Sequence, residues 1–200
     1  MPLLPPPVRR ATAADIPALA AMLARAFHDD PVLSWACPNE HRRPAHAERF
    51  FAARLRQLLP YEDVWTSEAL DGAAIWAPPG QWHTSLRATL DFLPATFAGR
   101  AVHRLPIVLP GLARIDARHP RTPHMYLSVL GTDPAAQGQG IGSALLTPVL
   151  RQCDEDGVPA YLESSKERNV AFYARHGFRV REELALPRGP QMWLMWRDPH

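Results

Sequence analysis

Seven residues, Gln137-Gly138-Gln139-Gly140-Ile141-Gly142-Ser143, join a stretch rich in strand formers to one with helical spacing. Glycines there let the backbone turn tightly and bring several N–H groups up to a bound anion. The helix that follows has unpaired N–H groups and a partial positive charge at its start, worth ~0.3–1 kcal/mol to an anionic group. A pyrophosphate suits such a turn; the alternative is a turn that only redirects the chain. Two nucleotide motifs fail. The dinucleotide fingerprint needs Gly or Ala where Ser143 stands, and fewer than 60 residues follow the turn, too few for a doubly wound sheet. The P-loop fails because no Gly-Lys-Ser/Thr is present. Glu163 ends a strand candidate, on the side where ligands gather in α/β sheets. A carboxylate there takes up a proton directly or through water, or is held by neighbouring backbone N–H groups. Trp35, Trp76 and Trp82 offer walls for a pocket, although tryptophan more often fills a core. His28, His46 and His83 lack metal-ligand spacing, so no metal is expected.

These groups need elements to hold them. Val8 to Ala11 predicts a short strand. Thr12 then offers a cap with Asp15 three residues on, and Ile16, Leu19, Leu23 and Phe27 follow at helical spacing up to His28-Asp29-Asp30-Pro31. A second amphipathic helix is expected over about 44–59. Two strands flank Leu70-Asp71-Gly72, where Asp-Gly signals a hairpin turn. Residues 81–123 carry Pro94, Pro106, Pro110 and Pro120 and predict short helices, too few residues for a core of their own. The last third predicts strand (124–132), helix (140–152), strand (160–163), a short helix (169–176) ended by Gly177, then strands at 178–181 and 192–196. Pro148 predicts a kink or a late start in the helix after the glycine turn. The expectation is a mixed α/β fold, one domain over 1–200, with a helical insertion at about 81–123 between the third and fourth strands.

Composition removes whole classes. With 46% hydrophobic and 21% charged residues, the chain is globular rather than disordered. A net charge of +2, with basic residues scattered, gives no nucleic-acid stripe. No apolar run approaches the ~20 residues of a membrane span. Prolines stand where a signal peptide would place its apolar core, and two cysteines are too few for a disulfide framework. A soluble protein of a reducing compartment, most simply the cytoplasm, is expected.

The spacing Gln137-x-x-Gly140-x-Gly142 resembles the Q/R-x-x-G-x-G/A motif of the GCN5-related N-acetyltransferases, which bind acetyl-CoA. Asn169-Val170-Ala171-Phe172-Tyr173 through Gly177-Phe178 is similar to the family's N-x-x-A-x-x-F/Y-Y-x-x-x-G-F signature, in the same order and separation. His46 to Arg49, Asp71 to Ala74, Val158 to Ser164 and Gly189-Pro190 look similar to the family's puromycin-acetylating branch. The resemblance implies a central, largely antiparallel sheet of six or seven strands flanked by helices. Its fourth strand would splay from the next, and the backbone of Leu130, Gly131 and Thr132 would hold the thioester and pantetheine arm. It implies a pyrophosphate site over Gln137 to Ser143, with Asn169, Phe172 and Tyr173 also against the donor. With Gln137 and Gln139 neutral, phosphate contact rests mainly on backbone amides.

Acetyl transfer needs a neutral amine, a polarised thioester carbonyl and a proton for the departing thiolate. An alkyl ammonium has a pKa near ~10 and a thiol near ~8.5, so both proton transfers need help at neutral pH. The resemblance makes Tyr173 the general acid and a backbone N–H of the splayed strand, near Leu130 or Thr132, the donor to the carbonyl, while Glu163, by its place at the strand end, is the candidate base. In this family the loop after the first helix lies over the acceptor. Asp29 and Asp30 there would attract a cationic amine, or else cap a helix or stay solvated, and Trp35 would wall the acceptor. The expected activity is acetyl transfer from acetyl-CoA to a small-molecule amine, antibiotic-like, amino-nucleoside or polyamine, by a monomer or homodimer with no nucleic-acid or membrane partner. A non-catalytic acyl-CoA-binding module, or acetylation of protein N-termini or lysines, is the alternative.

Overall fold

Apolar residues recur first at helical and then at strand spacing, and the chain folds accordingly. The computed structural model describes residues 6–83 and 104–200. In chain order these form β1 (Val8–Arg10), α1 (Ile16–Ala26), α2 (Pro31–Ala36), α3 (Arg43–Leu58), β2 (Val64–Ser67), β3 (Gly72–Ala77), α4 (Leu105–Arg118), β4 (Met125–Thr132), α5 (Ile141–Asp156), β5 (Ala160–Ser164), α6 (Val170–Ala174), β6 (Arg179–Ala185) and β7 (Gln191–Arg197). Of the insertion expected at 81–123, residues 84–103, Pro94 among them, lie outside the described residues. The remainder is mainly α4, which runs through Pro110 instead of breaking there.

All seven strands join one sheet in the order β1-β2-β3-β4-β5-β7-β6, antiparallel except for the pair β4/β5. One face is covered by α1 and α3, where Leu19, Leu23, Phe51 and Leu55 pack with Ile75 and Val129. Farther along that face, α2 and α4 bring Trp35 and Val108 onto Tyr161, Leu194 and Trp196. The other face carries α5 and α6, with Leu145, Leu146 and Phe178 against Trp76 and Leu162. Full burial of one such side chain contributes roughly 1.5–3 kcal/mol, so these layers hold the sheet between them.

Three local details differ from the expectations. Residues after α1 do not remain a loop: Asp30 accepts from the Leu33 amide at 2.9 Å and Pro31 follows, which starts α2. The Asp71-Gly72 hairpin forms, but the left-handed residue is Leu70 (φ 59°). Gly72 sits in β3 because a Cβ there would lie 2.5 Å from Ile141 Cγ2, so it lets α5 approach the sheet. Finally, α5 starts directly after Gly140 and continues through Pro148.

β4 carries one extra residue. Ile75 pairs with Val129 and Trp76 with Leu127, which leaves Ser128 as a bulge. Pairing with β5 runs from Met125–Ala160 to Leu127–Leu162 and stops there. The two strands therefore part at the bulge, and the sheet opens in its middle.

Candidate active site

The opening between β4 and β5 is a cavity of about 470 Å³. One wall is Leu127 to Thr132, the other Leu162 to Lys166, and the turn at Gln137, Gly138 and Gly140 to Ser143 closes one end. Two of the turn's glycines are left-handed, Gly138 (φ 79°) and Gly140 (φ 82°), where a side chain would strain the backbone. Gly142 has ordinary dihedrals, but a Cβ there would press on Phe172 Cζ at 3.2 Å, so α6 is seated on the start of α5. Ser143 Oγ lies 3.0 Å from His176 Nε2. The Gln137 amide donates to the Thr132 carbonyl at 3.3 Å, so this side chain ties the turn to the end of β4.

Tyr173, 8% exposed, and Glu163 both line the cavity. Burial pushes the Tyr173 phenol above its ordinary range, which keeps the hydroxyl protonated. Among the described residues no backbone amide holds Glu163, one of the readings its position allowed. Tyr126 donates to its Oε2 at 3.0 Å and Tyr161 to its Oε1 at 3.1 Å. Burial, and then the nearby carboxylate, raise both phenols, so they too remain donors. His119 Nδ1 lies 3.5 Å from Glu163 Oε1.

Strand geometry explains this cluster. Tyr161 and Glu163, two apart on β5, point to one face, and Tyr126 is paired with Tyr161 across the parallel rungs. Arg54 from α3 donates to Ser128 Oγ at 2.8 Å, to the Trp82 carbonyl at 3.0 Å and to the His83 carbonyl at 3.4 Å. It thereby holds the segment after β3 against the bulge. Trp82 in turn stacks on His119 at 3.6 Å. Tyr126, Tyr161, His119 and Arg54 went unread in the sequence. Period-2 spacing on adjacent strands could have found the tyrosines; nothing local marks His119 or Arg54.

Of the other anticipated residues, Leu130, Gly131, Thr132, Ile141, Ser143, Asn169 and Phe172 line the cavity, whereas Gln139 does not. Asp30 borders it, fully engaged as the cap of α2 and as acceptor from Ser165 Oγ. Asp29 lies outside, where its hydrogen bond from Lys166 Nζ (2.5 Å), with Arg168 at 3.3 Å, lowers its pKa. Trp35 is 6% exposed; its indole donates to the Pro187 carbonyl at 3.1 Å and its ring packs over Gly111 and Gly189. Trp76 is entirely buried beneath α5. Among the described residues, no cluster of His, Cys, Asp and Glu is arranged to hold a metal.

The parallel pair β4/β5, split at a bulge above a glycine turn, is the arrangement that the sequence resemblance implied, and the family comparison makes the protein an acyltransferase. The chain belongs to the acetyltransferase (GNAT) family, whose model matches residues 79–178. Members of this family use acetyl-CoA as acetyl donor. An uncharacterised N-acetyltransferase of Schizosaccharomyces pombe is 29% identical over 96% of this chain and 83% of its own length. Among solved structures, that of the histone acetyltransferase HPA2 and related acetyltransferase from Corynebacterium glutamicum superposes with a TM-score of 0.72 at 24% identity, covering 98% of each chain. The polyamine N-acetyltransferase of Drosophila melanogaster gives 0.62 at 15% identity, over 96% of this chain and 99% of its own.

Proposed function

We propose that the protein transfers the acetyl group of acetyl-CoA directly to a primary amine of a small molecule within a ternary complex. One observation carries this reading: the split between β4 and β5 brings a buried carboxylate and a protonated phenol to a single cavity. The pyrophosphate rests on the amides of the Gly138 to Ser143 turn, and the pantetheine arm takes the place of the missing rungs beside Ser128 to Thr132. A backbone N–H of Leu130 to Thr132 polarises the thioester carbonyl. The ammonium of the acceptor gives one proton to Glu163, directly or through water. Its freed lone pair attacks the carbonyl carbon, the C–S bond breaks, and the electrons leave on sulfur.

Tyr173 then hydrogen-bonds that sulfur and donates its proton. A phenol is ordinarily a weaker acid than a thiol. Beside this buried ring, however, both anions lose hydration, so burial raises the sulfur's proton affinity together with the phenol's. The attacking nitrogen loses its second proton as the adduct collapses, and that proton passes through water to restore Tyr173; the products are an amide, CoA thiol and one proton returned to solvent through Glu163.

Acceptors in reach of this site are small amines, whether polyamine-like, as the name of the Drosophila neighbour states for that enzyme, or antibiotic-like and amino-nucleoside. Both cysteines are unpaired and buried, which fits a reducing compartment such as the cytoplasm. The test is a panel of polyamines, amino-nucleosides and lysine peptides, read as thiol release and as acetylated product. Saturable transfer to a small amine is expected. Transfer to peptides alone, or acetyl-CoA binding with no transfer, would replace this reading.

A further inference from the structure

Arg54 and Ser128 meet in a contact whose hydrogens admit one assignment. Arg54 is 3% exposed, and its Nε donates to Ser128 Oγ at 2.8 Å. A guanidinium carries N–H donors and no acceptor, so the serine oxygen must accept here and its single hydrogen points elsewhere. Among the described residues no acceptor takes that hydrogen, because the bond from Arg54 is the one that Ser128 makes.

The free hydrogen has a cavity to point into, since Ser128 is one of its lining residues. The last rung between β4 and β5 is Leu127–Leu162, so Ser128 and Glu163 are the first residues past it, one on each side of the fork. Both face the same side of the sheet. Ser128 is bound by Arg54 of α3, and Tyr126, which donates to Glu163, packs against the layer of α1 and α3. The other N–H groups of Arg54 go to neutral oxygens, those of the Trp82 and His83 carbonyls and the Gln57 side chain. Burial lowers the Arg54 pKa, while Tyr126 and Glu163 nearby act to raise it. A buried cation bonded to a hydroxyl oxygen draws electrons from the O–H and makes it a stronger donor.

We propose that Ser128 is a further catalytic residue: its hydroxyl donates to the carbonyl oxygen of the bound thioester and holds the oxyanion formed when the amine adds. This rests on the proposed acetyl transfer with Glu163 as base. Glu163 must reach the attacking nitrogen directly or through a water, so the carbonyl carbon lies across the fork from it, beside Ser128. Negative charge that develops on the carbonyl oxygen is repelled by Glu163 and drawn toward Ser128 and the cation behind it. The hydrogen stays on Ser128 throughout. Addition places the charge on oxygen, and the carbonyl reforms as the C–S bond breaks. The backbone N–H of Leu130 to Thr132 supplies the second donor to the same oxygen. A hydrogen bond to an oxyanion is stronger than one to a carbonyl, so this contact speeds the chemistry more than it tightens binding.

Infrared difference spectra of bound acetyl-CoA, labelled with carbon-13 at the thioester carbonyl, test the contact without any acceptor. The carbonyl band should lie at lower frequency in the wild-type complex than in Ser128→Ala. Ser128→Thr, which keeps a hydroxyl, should return it toward the wild-type position. Equal frequencies in the wild type and Ser128→Ala would overturn the proposal.

Kinetics then separate catalysis from packing. Ser128→Ala should lower kcat about 10²-fold with the KM for acetyl-CoA within a few-fold, and Ser128→Thr should recover part of the loss. The pH profile of Ser128→Ala should run parallel to that of the wild type, since the base is untouched. A loss confined to KM, or one that deepens at low pH as expected for Glu163→Gln, would overturn the catalytic role. If the wild type acetylates no amine, the proposed transfer fails instead, while the carbonyl band still decides whether Ser128 donates to the thioester.

Discussion

In the proposed reaction Tyr173 and Glu163 serve opposite ends, and their substitutions should differ in kind. Tyr173→Phe removes one hydroxyl from a buried ring, so CoA binding should stay within a few-fold while turnover falls by about 10²–10⁴-fold. The deficit should shrink with acyl donors whose thiol is more acidic; a constant deficit across donors would mean that the phenol only positions the thioester. Glu163→Gln keeps shape but not basicity. Turnover should fall most at low pH and recover partly as the acceptor amine loses its proton unaided, whereas a uniform loss across pH would mark a positioning role. Both residues were legible, Tyr173 through a motif and Glu163 through its place at a strand end. What surrounds Glu163 was not, because Tyr126, Tyr161 and His119 converge from three segments that only the folded sheet brings together. The reading of Asp29, Asp30 and Trp35 as acceptor contacts meets a different limit. A loop residue's type does not reveal whether its partners are the protein's own, and here they are Lys166 and Arg168, Ser165 and the start of α2, and the Pro187 carbonyl.

At the scale of elements, the turn before α5 is the sharpest test of donor binding. Gly140→Val should abolish acetyl-CoA binding, since a branched side chain at φ 82° both strains the turn and covers its amides; unchanged affinity would make the turn merely structural. Capping is tested separately. Asp30→Ala leaves the Leu33 amide and Ser165 unpaired and should cost about 1 kcal/mol or somewhat more, read as a shift of the urea midpoint. Strands and long helices were legible because their apolar periods are strong. Helix α2 was not, being six residues long and marked only by its Asp-Pro start. The bulge at Ser128 was equally silent: an extra residue in a strand leaves no signal in the period until its partner strand is known. The resemblance to a family supplied the splay that local pattern could not.

At the scale of the molecule, the proposed place of acetyl-CoA is the gap where the sheet is unpaired, so binding should raise the melting temperature. At a hundredfold excess over Kd the stabilisation is about 2.7 kcal/mol. NAD, which also carries a pyrophosphate but no pantetheine arm, should shift it little, and equal shifts from both would remove the assignment of the cavity. The order of the sheet has a further effect, on biosynthesis. β7 follows all the other strands in the chain, yet it lies between β5 and β6 and presents Met192, Leu194 and Trp196 to the core. During synthesis, β5 and β6 therefore leave the ribosome with no strand between them, and the edge that β7 will occupy stays open until residue 197 has emerged. A nascent chain halted a few codons before that point has made nearly every residue of the cavity but cannot close the sheet that shapes it. Ribosome-stalled chains released just before and just after β7 should differ abruptly in protease resistance, a late, single step from an open form to the finished enzyme.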